Sequence, residues 1–161
     1  MQKVIIIGCP GSGKSTFSRK LRDKTGLPLY HLDMIWHRAD KTHITREAFD
    51  QTLETILNTN TWIIDGNYSR TMKKRIQMCD TVVFFDLPTE VCLNGVQARI
   101  GVKREDMPWV EEKMDEAFRE FIVNFAKDER PRIYELLEKY PDKSVILLHS
   151  HEEIDQYLKQ L

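Results

Sequence analysis

Residues 4–15 read VIIIGCPGSGKS, and this stretch decides the fold. Its first four residues are β-branched, and a short continuous apolar run of this kind is typical of a strand buried on both faces of a parallel sheet. A helix is predicted over residues 14–24, because Phe17 and Leu21 lie four apart and Gly26 can stop it. The chain therefore starts with a strand, a glycine-rich turn and a helix.

The turn matches G-x-x-x-x-G-K-[ST], the pattern of a phosphate-binding loop (P-loop), in the strand-to-helix context that the pattern requires. Backbone N–H groups can surround phosphate oxygens there, and the helix N-terminus adds partial positive charge. Lys14 is expected to contact the β and γ phosphates of ATP, and Ser15 to coordinate Mg²⁺. The alternative is a glycine-rich turn that matches by chance. The predicted nucleotide-binding residues are Gly8, Pro10, Gly11, Ser12, Gly13, Lys14, Ser15 and Thr16.

Strands and helices alternate along the rest of the chain, which predicts an α/β domain with a parallel sheet and right-handed crossovers. Residues 100–108 lack an apolar period and form the predicted mobile loop. The remaining strands are predicted at residues 29–32, 62–64, 81–85 and 145–148. The remaining helices are predicted at residues 45–57, 71–78, 109–126, 131–140 and 152–161, with one more opened by Pro88.

Composition narrows the class of protein. A chain of 161 residues fits one domain. Lys and Arg number 24 against 25 Asp and Glu, so there is no general attraction to nucleic acid or anionic membranes. The three cysteines form no C-x-x-C pattern, and the apolar runs are too short to span a membrane. We expect a cytoplasmic protein with reduced thiols.

The chain lacks the N-K-x-D element expected of a guanine-specific GTPase. The remaining classes are a small kinase and an ATPase that drives a conformational change. Chain length and the placement of arginines favour the kinase.

Several segments carry a resemblance to a known family. WIIDGNYS at residues 62–69, DTVVFFDLP at 80–88, HLD at 31–33 and Arg130-Pro131 resemble the adenylate kinase-like proteins called DNA topology modulation proteins. The resemblance covers nearly the whole chain. It implies a P-loop NTPase fold of the nucleoside monophosphate kinase type, with a five-stranded parallel sheet, an acceptor-binding region at about 33–60 and a short lid at about 100–108. It defines no substrate, because the family name describes a phenotype.

Two aspartates are candidates for the metal. Asp65 follows an apolar strand, where its side chain can enter the crevice beside the P-loop, and we expect it to be an outer-sphere Mg²⁺ ligand. Its structural alternative is an Asx turn with Gly66. Asp86 is the second candidate, although its position before Leu87 and Pro88 suits a helix entry equally well.

Other residues are candidates for the acceptor and the base. Asp33 follows the second strand and could act as a base or orient an acceptor hydroxyl, or be a solvated loop residue. His31 is a weaker candidate, since a lone histidine is more often simply hydrogen-bonded. His149 and His151 are treated as loop residues that could touch adenine.

Four arginines could meet the phosphates. By resemblance to adenylate kinases, Arg99 matches a lid arginine that reaches the γ phosphate. Arg104 lies in the predicted mobile loop, and Arg119 and Arg130 are later candidates; the alternative for each is a solvated basic side chain.

The chain departs from the family pattern twice. Similar kinases often carry an arginine that stacks on adenine where this chain has Gly95. They also have D-G-x-P-R, whereas residues 65–70 read DGNYSR. An AMP acceptor therefore cannot be inferred. The first hypothesis is an ATP-dependent phosphotransferase acting on a nucleotide or another small-molecule acceptor. The alternative is an ATP-dependent regulatory protein that binds a partner such as DNA, for which residues 73–75 supply a small basic patch.

Overall fold

The computed structural model describes residues 1–161 and contains five strands and eight helices. The strands are β1 (Lys3–Gly8), β2 (Leu29–His31), β3 (Trp62–Asp65), β4 (Thr81–Phe85) and β5 (Ser144–Leu148). The helices are α1 (Lys14–Thr25), α2 (Leu32–Trp36), α3 (Arg46–Leu57), α4 (Ser69–Met78), α5 (Thr89–Arg99), α6 (Glu116–Asp128), α7 (Arg130–Lys139) and α8 (His151–Gln160). None of the helices is both long and apolar enough to cross a membrane.

The sheet confirms the predicted α/β fold. All neighbouring strands are parallel, in the order β2-β3-β1-β4-β5. The side chains of the central strands β1, β3 and β4 are almost entirely buried, which explains their continuous apolar sequences. In the register, Ile6 lies beside Asp65 and Gly8 beside Phe85, so the carboxyl ends of the three central strands meet at one edge.

Several element boundaries differ from the sequence prediction, and two of these differences bear on the cleft. β2 ends at His31, and Asp33 lies in the first turn of α2, a five-residue helix that the sequence did not predict. The helix predicted at residues 109–126 is wrong in its first part, because α6 begins only at Glu116. The Asp115 side chain accepts a hydrogen bond from the Phe118 N–H at 3.0 Å and so caps the N-terminus of α6.

Helix α5 approaches the P-loop too closely for a side chain at residue 95. A Cβ built on Gly95 would lie 1.9 Å from the carbonyl oxygen of Gly11. A Cβ on Gly11 would lie 2.1 Å from the carbonyl oxygen of Cys92. The absence of an arginine at residue 95 therefore has a steric cause, and no side chain from this position can stack on a base.

We predict that Gly95→Ala lowers the free energy of unfolding by about 1–3 kcal/mol, because the new methyl group collides with backbone. Helix propensity alone would favour Ala by about 1 kcal/mol, so the sign of the change reports the collision. Urea denaturation measures the change. Asn94→Ala, at an exposed position of the same helix, is the control and should change stability by less than about 0.5 kcal/mol. A Gly95→Ala protein as stable as the wild type would contradict the close packing.

Candidate active site

The P-loop joins β1 to α1 and is held by its own hydrogen bonds. Gly8, Gly11 and Gly13 have φ angles of 142°, 82° and 102°, which side-chain-bearing residues rarely adopt. The buried Ser12 hydroxyl donates to the carbonyl oxygen of Cys9 at 2.6 Å, and the Lys14 ammonium donates to the same oxygen at 3.1 Å. Burial lowers the pKa of Lys14. The loop thus presents the backbone and the cation that phosphate binding requires.

The segment after β3 is joined to the P-loop through Asn67. Its side-chain oxygen accepts a hydrogen bond from the Gly8 N–H at 3.0 Å, and its side-chain nitrogen donates to the Gly8 carbonyl oxygen at 2.6 Å. Both hydrogen-bonding groups of one backbone residue are therefore satisfied by one amide. The spacing between the P-loop and the end of β3 is fixed by this pair.

Two carboxylates meet the P-loop serine. Ser15 Oγ lies 2.9 Å from Asp65 Oδ2 and 3.0 Å from Asp106 Oδ2. The two aspartates are 5% and 4% exposed. His31 Nδ1 lies 2.8 Å from Asp65 Oδ2, so His31 is hydrogen-bonded as expected. The sequence did not single out Asp106 as a site residue. The one indication was that a carboxylate lies inside the irregular segment 100–108.

Asp86 has different neighbours. It accepts a hydrogen bond from the Tyr134 hydroxyl at 2.7 Å and pairs with Arg130 at 2.8 Å. It makes no contact with Ser15, whereas Asp65 does. Of the two candidate aspartates, only Asp65 contacts the P-loop serine, and Arg130 is paired with Asp86.

Asp33 and Lys14 line the same cleft. The Tyr68 hydroxyl donates to Asp33 Oδ1 at 2.6 Å, and His37 Nε2 lies 3.9 Å from the same oxygen. Desolvation in the cleft raises the pKa of Asp33, and the hydrogen bond from Tyr68 opposes that change. Tyr68 itself has a φ of 38°, an unusual value for a residue with a side chain, at the entry to α4.

Two of the four candidate arginines lie at the site. Arg99 ends α5, its guanidinium lies 5.8 Å from the centre of the Phe118 ring, and its buried Nε has no hydrogen-bond partner. Burial, followed by repulsion from Arg104, lowers the pKa of Arg99. Arg104 pairs with Asp106 at 3.3 Å and with Glu111 at 2.9 Å. Arg119 is exposed on α6 and lines none of the cavities described below.

Three adjoining cavities share these side chains. The first, of about 270 Å³, follows the P-loop from Gly11 to Thr16 and includes Arg104. The second, of about 240 Å³, includes Asp65, Asn67 and Tyr68. The third, of about 610 Å³, opens beyond Asp33. Lys14, Ser15 and Asp106 line the first two cavities, Asp33 lines the last two, and Arg99 lines all three.

The two late histidines have different positions. His151, the first residue of α8, lines the P-loop cavity, and its Nε2 lies 3.9 Å from a Cβ built on Gly13. His149 Nδ1 lies 3.8 Å from Asp86 Oδ2, outside that cavity. His149 instead lines a neighbouring cavity with Cys9, the second residue of the P-loop.

A fully buried arginine on α4 supports the segment after β3. Arg75 donates to the carbonyl oxygens of Gly66, at 2.9 Å, and of Asn67 and Tyr68, and its Nε donates to Thr71 Oγ1 at 3.2 Å. Burial lowers its pKa to about 10, so the guanidinium stays charged at neutral pH. Arg75 thereby fixes the backbone that presents Asn67 to the P-loop and Tyr68 to Asp33.

Solved structures resemble the chain, although no family model and no curated protein matches it. A sugar kinase from Janibacter sp. HTCC2649 is 18% identical, with a TM-score of 0.56, over 99% of this chain and 91% of that one. A gluconokinase from Sinorhizobium meliloti 1021 is 11% identical, with a TM-score of 0.60, over 99% and 88%. A shikimate kinase from Acinetobacter baumannii, solved with shikimate, is 14% identical, with a TM-score of 0.64, over 99% and 90%.

At these identities the similarity shows the fold alone. Together with the parallel five-stranded sheet and the loop after β1, it defines a P-loop NTPase fold of the kind that small-molecule kinases use. The resemblance to the DNA topology modulation proteins gains no support from a family model or a curated relative.

We predict that Tyr68→Phe raises the pKa of Asp33. The Tyr68 hydroxyl stabilises the charged carboxylate, so its removal favours the protonated form. An NMR titration of the Asp33 carboxyl carbon in both proteins measures the shift. Tyr140→Phe, which alters a hydroxyl bonded to Gln77 far from the cleft, should leave the titration unchanged. An unchanged pKa in the Tyr68→Phe protein would exclude the hydrogen bond.

Proposed function

We propose that the protein is an ATP-dependent phosphotransferase that moves the γ-phosphoryl group to a nucleotide or another small-molecule acceptor. The observation that carries this proposal is the continuity of the three cavities through shared side chains. ATP on the P-loop and an acceptor beyond Asp33 would meet in the second cavity. Phosphoryl transfer needs this in-line meeting of two substrates among charged groups, and little covalent chemistry from the protein.

The side chains match the charges that move during such a transfer. Lys14 and Arg99 line the second cavity and would neutralise the γ-phosphoryl oxygens, while Arg104 approaches from the predicted lid. For a hydroxyl acceptor, the acceptor oxygen bonds to the γ phosphorus as the bond from that phosphorus to the ADP oxygen breaks. Asp33, held by Tyr68, would orient the hydroxyl and receive its proton.

The oxygen donors around Ser15 fit Mg²⁺. A hydroxyl and the Asp65 carboxylate lie 2.9 Å apart at the end of the P-loop, and Mg²⁺ prefers such oxygen ligands. When bound with ATP, the ion supplies charge neutralisation to the β and γ phosphates. His31 Nδ1 lies 2.8 Å from Asp65 Oδ2, the oxygen that also contacts Ser15, and so holds the carboxylate in place.

The third cavity has the size and lining of a small-molecule site. Its volume of about 610 Å³ lies within the usual range of about 300–1,000 Å³ for such sites. Trp109 and Phe118 supply apolar walls, and His37 and Lys41 supply polar and cationic groups. The similar structures include kinases named for a sugar, gluconate and shikimate, which supports hydroxyl-bearing acceptors. No finding favours the alternative of a DNA-related regulatory protein.

Lys14→Ala should reduce ATP turnover at least about 100-fold while the fold remains intact, because Lys14 lines the P-loop cavity and does not belong to the hydrophobic core. Turnover is measured with the acceptor identified below, and folding is checked by circular dichroism and urea denaturation. Lys24→Ala, at the exposed end of the same helix, is the matched control and should retain full activity. A folded Lys14→Ala protein with unchanged turnover would contradict the P-loop assignment.

The acceptor is found with a panel incubated with ATP labelled on its γ phosphate. Nucleosides, nucleoside monophosphates, sugars, sugar acids and other hydroxylated carboxylic acids form the panel. We expect label transfer to one chemical class, and we expect Trp109→Ala to raise the KM for that acceptor more than the KM for ATP, since Trp109 lines only the third cavity. Tight ATP binding without transfer to any class would contradict the phosphotransferase proposal.

A further inference from the structure

Asp106 lies in the irregular segment between α5 and α6, and its side chain contacts Ser15 of the P-loop. It is 4% exposed, and its Oδ2 lies 3.0 Å from Ser15 Oγ. Asp65 Oδ2 lies 2.9 Å from the same hydroxyl. Two buried carboxylates from distant parts of the chain therefore converge on the P-loop residue expected to bind Mg²⁺.

The Ser15 hydroxyl cannot make a favourable hydrogen bond to both carboxylates. The Ser15 hydroxyl has one hydrogen, so it can donate to only one of the two carboxylate oxygens. His31 Nδ1 approaches Asp65 Oδ2 at 2.8 Å, and Arg104 approaches Asp106 Oδ2 at 3.3 Å. One contact between oxygens still lacks a hydrogen, and such a buried contact between a hydroxyl and a carboxylate is unfavourable. A divalent cation among these oxygens removes the repulsion, since oxygen atoms of this kind are its preferred ligands.

We propose that Asp106 contributes its carboxylate to the Mg²⁺ site of the bound nucleotide, as the residue that couples the lid to the metal. The proposal rests on the nucleotide-binding part of the proposed function and not on the transfer step. Because Asp106 belongs to residues 100–108, its carboxylate would hold this segment against the P-loop when Mg²⁺ is bound. Arg104 is paired with Asp106 and lines the P-loop cavity, so it would be held beside the phosphates as well.

The opposite role for Asp106 is to occupy the space of a phosphate. In that role its negative charge repels the nucleotide, and its removal strengthens binding. As a metal ligand, Asp106 strengthens binding only when Mg²⁺ is present. The two roles therefore predict changes of opposite sign for one substitution, which makes the proposal testable without measuring catalysis.

The experiment titrates a fluorescent nonhydrolysable ATP analogue into three proteins, with Mg²⁺ and with EDTA. The wild type is compared with Asp106→Asn and with Glu105→Gln, a neighbouring exposed carboxylate that serves as the matched control. We expect Asp106→Asn to weaken binding about 10-fold or more with Mg²⁺ and less than about twofold in EDTA. Glu105→Gln should bind like the wild type in both conditions.

Three results would overturn the proposal. Equal Mg²⁺-dependent binding by Asp106→Asn and the wild type excludes a role at the metal. Tighter binding of the analogue by Asp106→Asn would show that Asp106 occupies the space of a phosphate. A wild type that binds no nucleotide contradicts both proposals. Loss of Mg²⁺-dependent affinity in Asp106→Asn, in a protein that phosphorylates no acceptor, supports the role of Asp106 and contradicts only the phosphotransferase.

Two further measurements separate a metal role from a folding defect. Asp106→Glu keeps the carboxylate and should recover part of the Mg²⁺-dependent affinity, whereas a packing defect would grow with the longer side chain. Hydrogen exchange should show that the Mg²⁺ complex of the analogue protects residues 100–108 in the wild type and in Glu105→Gln. In Asp106→Asn the P-loop should gain protection while residues 100–108 do not. Equal protection of that segment in all three proteins would contradict the coupling.

Discussion

The amide of Asn67 binds both the N–H and the carbonyl oxygen of Gly8, and the geometry of the cleft depends on this pair. Gly8 is the last residue of β1 and the first of the P-loop, so the amide fixes where the loop begins relative to β3. Because the Asn67 backbone is fixed as well, Asp65 on one side meets Ser15, and Tyr68 on the other meets Asp33. One side chain thus relates the phosphate site to the proposed acceptor site.

Arg75 shows that this arrangement has an energetic cost. A fully buried guanidinium bonded to neutral carbonyl oxygens, without a paired carboxylate, loses several kcal/mol of hydration. The carbonyl oxygens of three consecutive residues offset part of that loss and are themselves satisfied. An apolar side chain would pack in this place at lower cost but would leave the segment 66–68, including the left-handed Tyr68, unsupported. The buried charge of Arg75 is therefore explained by the backbone geometry of residues 66–68, which it maintains.

The fold could be predicted from the sequence because its information is local: the apolar runs of β1, β3 and β4 and the glycines of the P-loop each specify their own segment. The contact of Ser15 with Asp65 followed from a general property of parallel sheets, in which strand ends meet at one edge. The contact with Asp106 joins residues 91 positions apart through a segment without periodicity, and no local pattern encodes it. The start of α6 was wrong for a related reason, since Trp109 is apolar but lines the third cavity instead of the core.

The placement of Arg99 and Arg104 bears on the proposed meeting of nucleotide and acceptor. Arg104 already has two carboxylate partners, whereas Arg99 has a buried Nε without a partner and a pKa lowered by burial and by Arg104. A phosphate group near Arg99 supplies the missing acceptor and offsets the repulsion between the two guanidinium groups, and it does so most strongly where water is excluded. Arg99 lines all three cavities, so the position that best satisfies it is the one between nucleotide and acceptor. In the proposed reaction, a phosphoryl group in transit would carry its charge at that point, so Arg99 would stabilise the transfer more than the binding of either substrate alone.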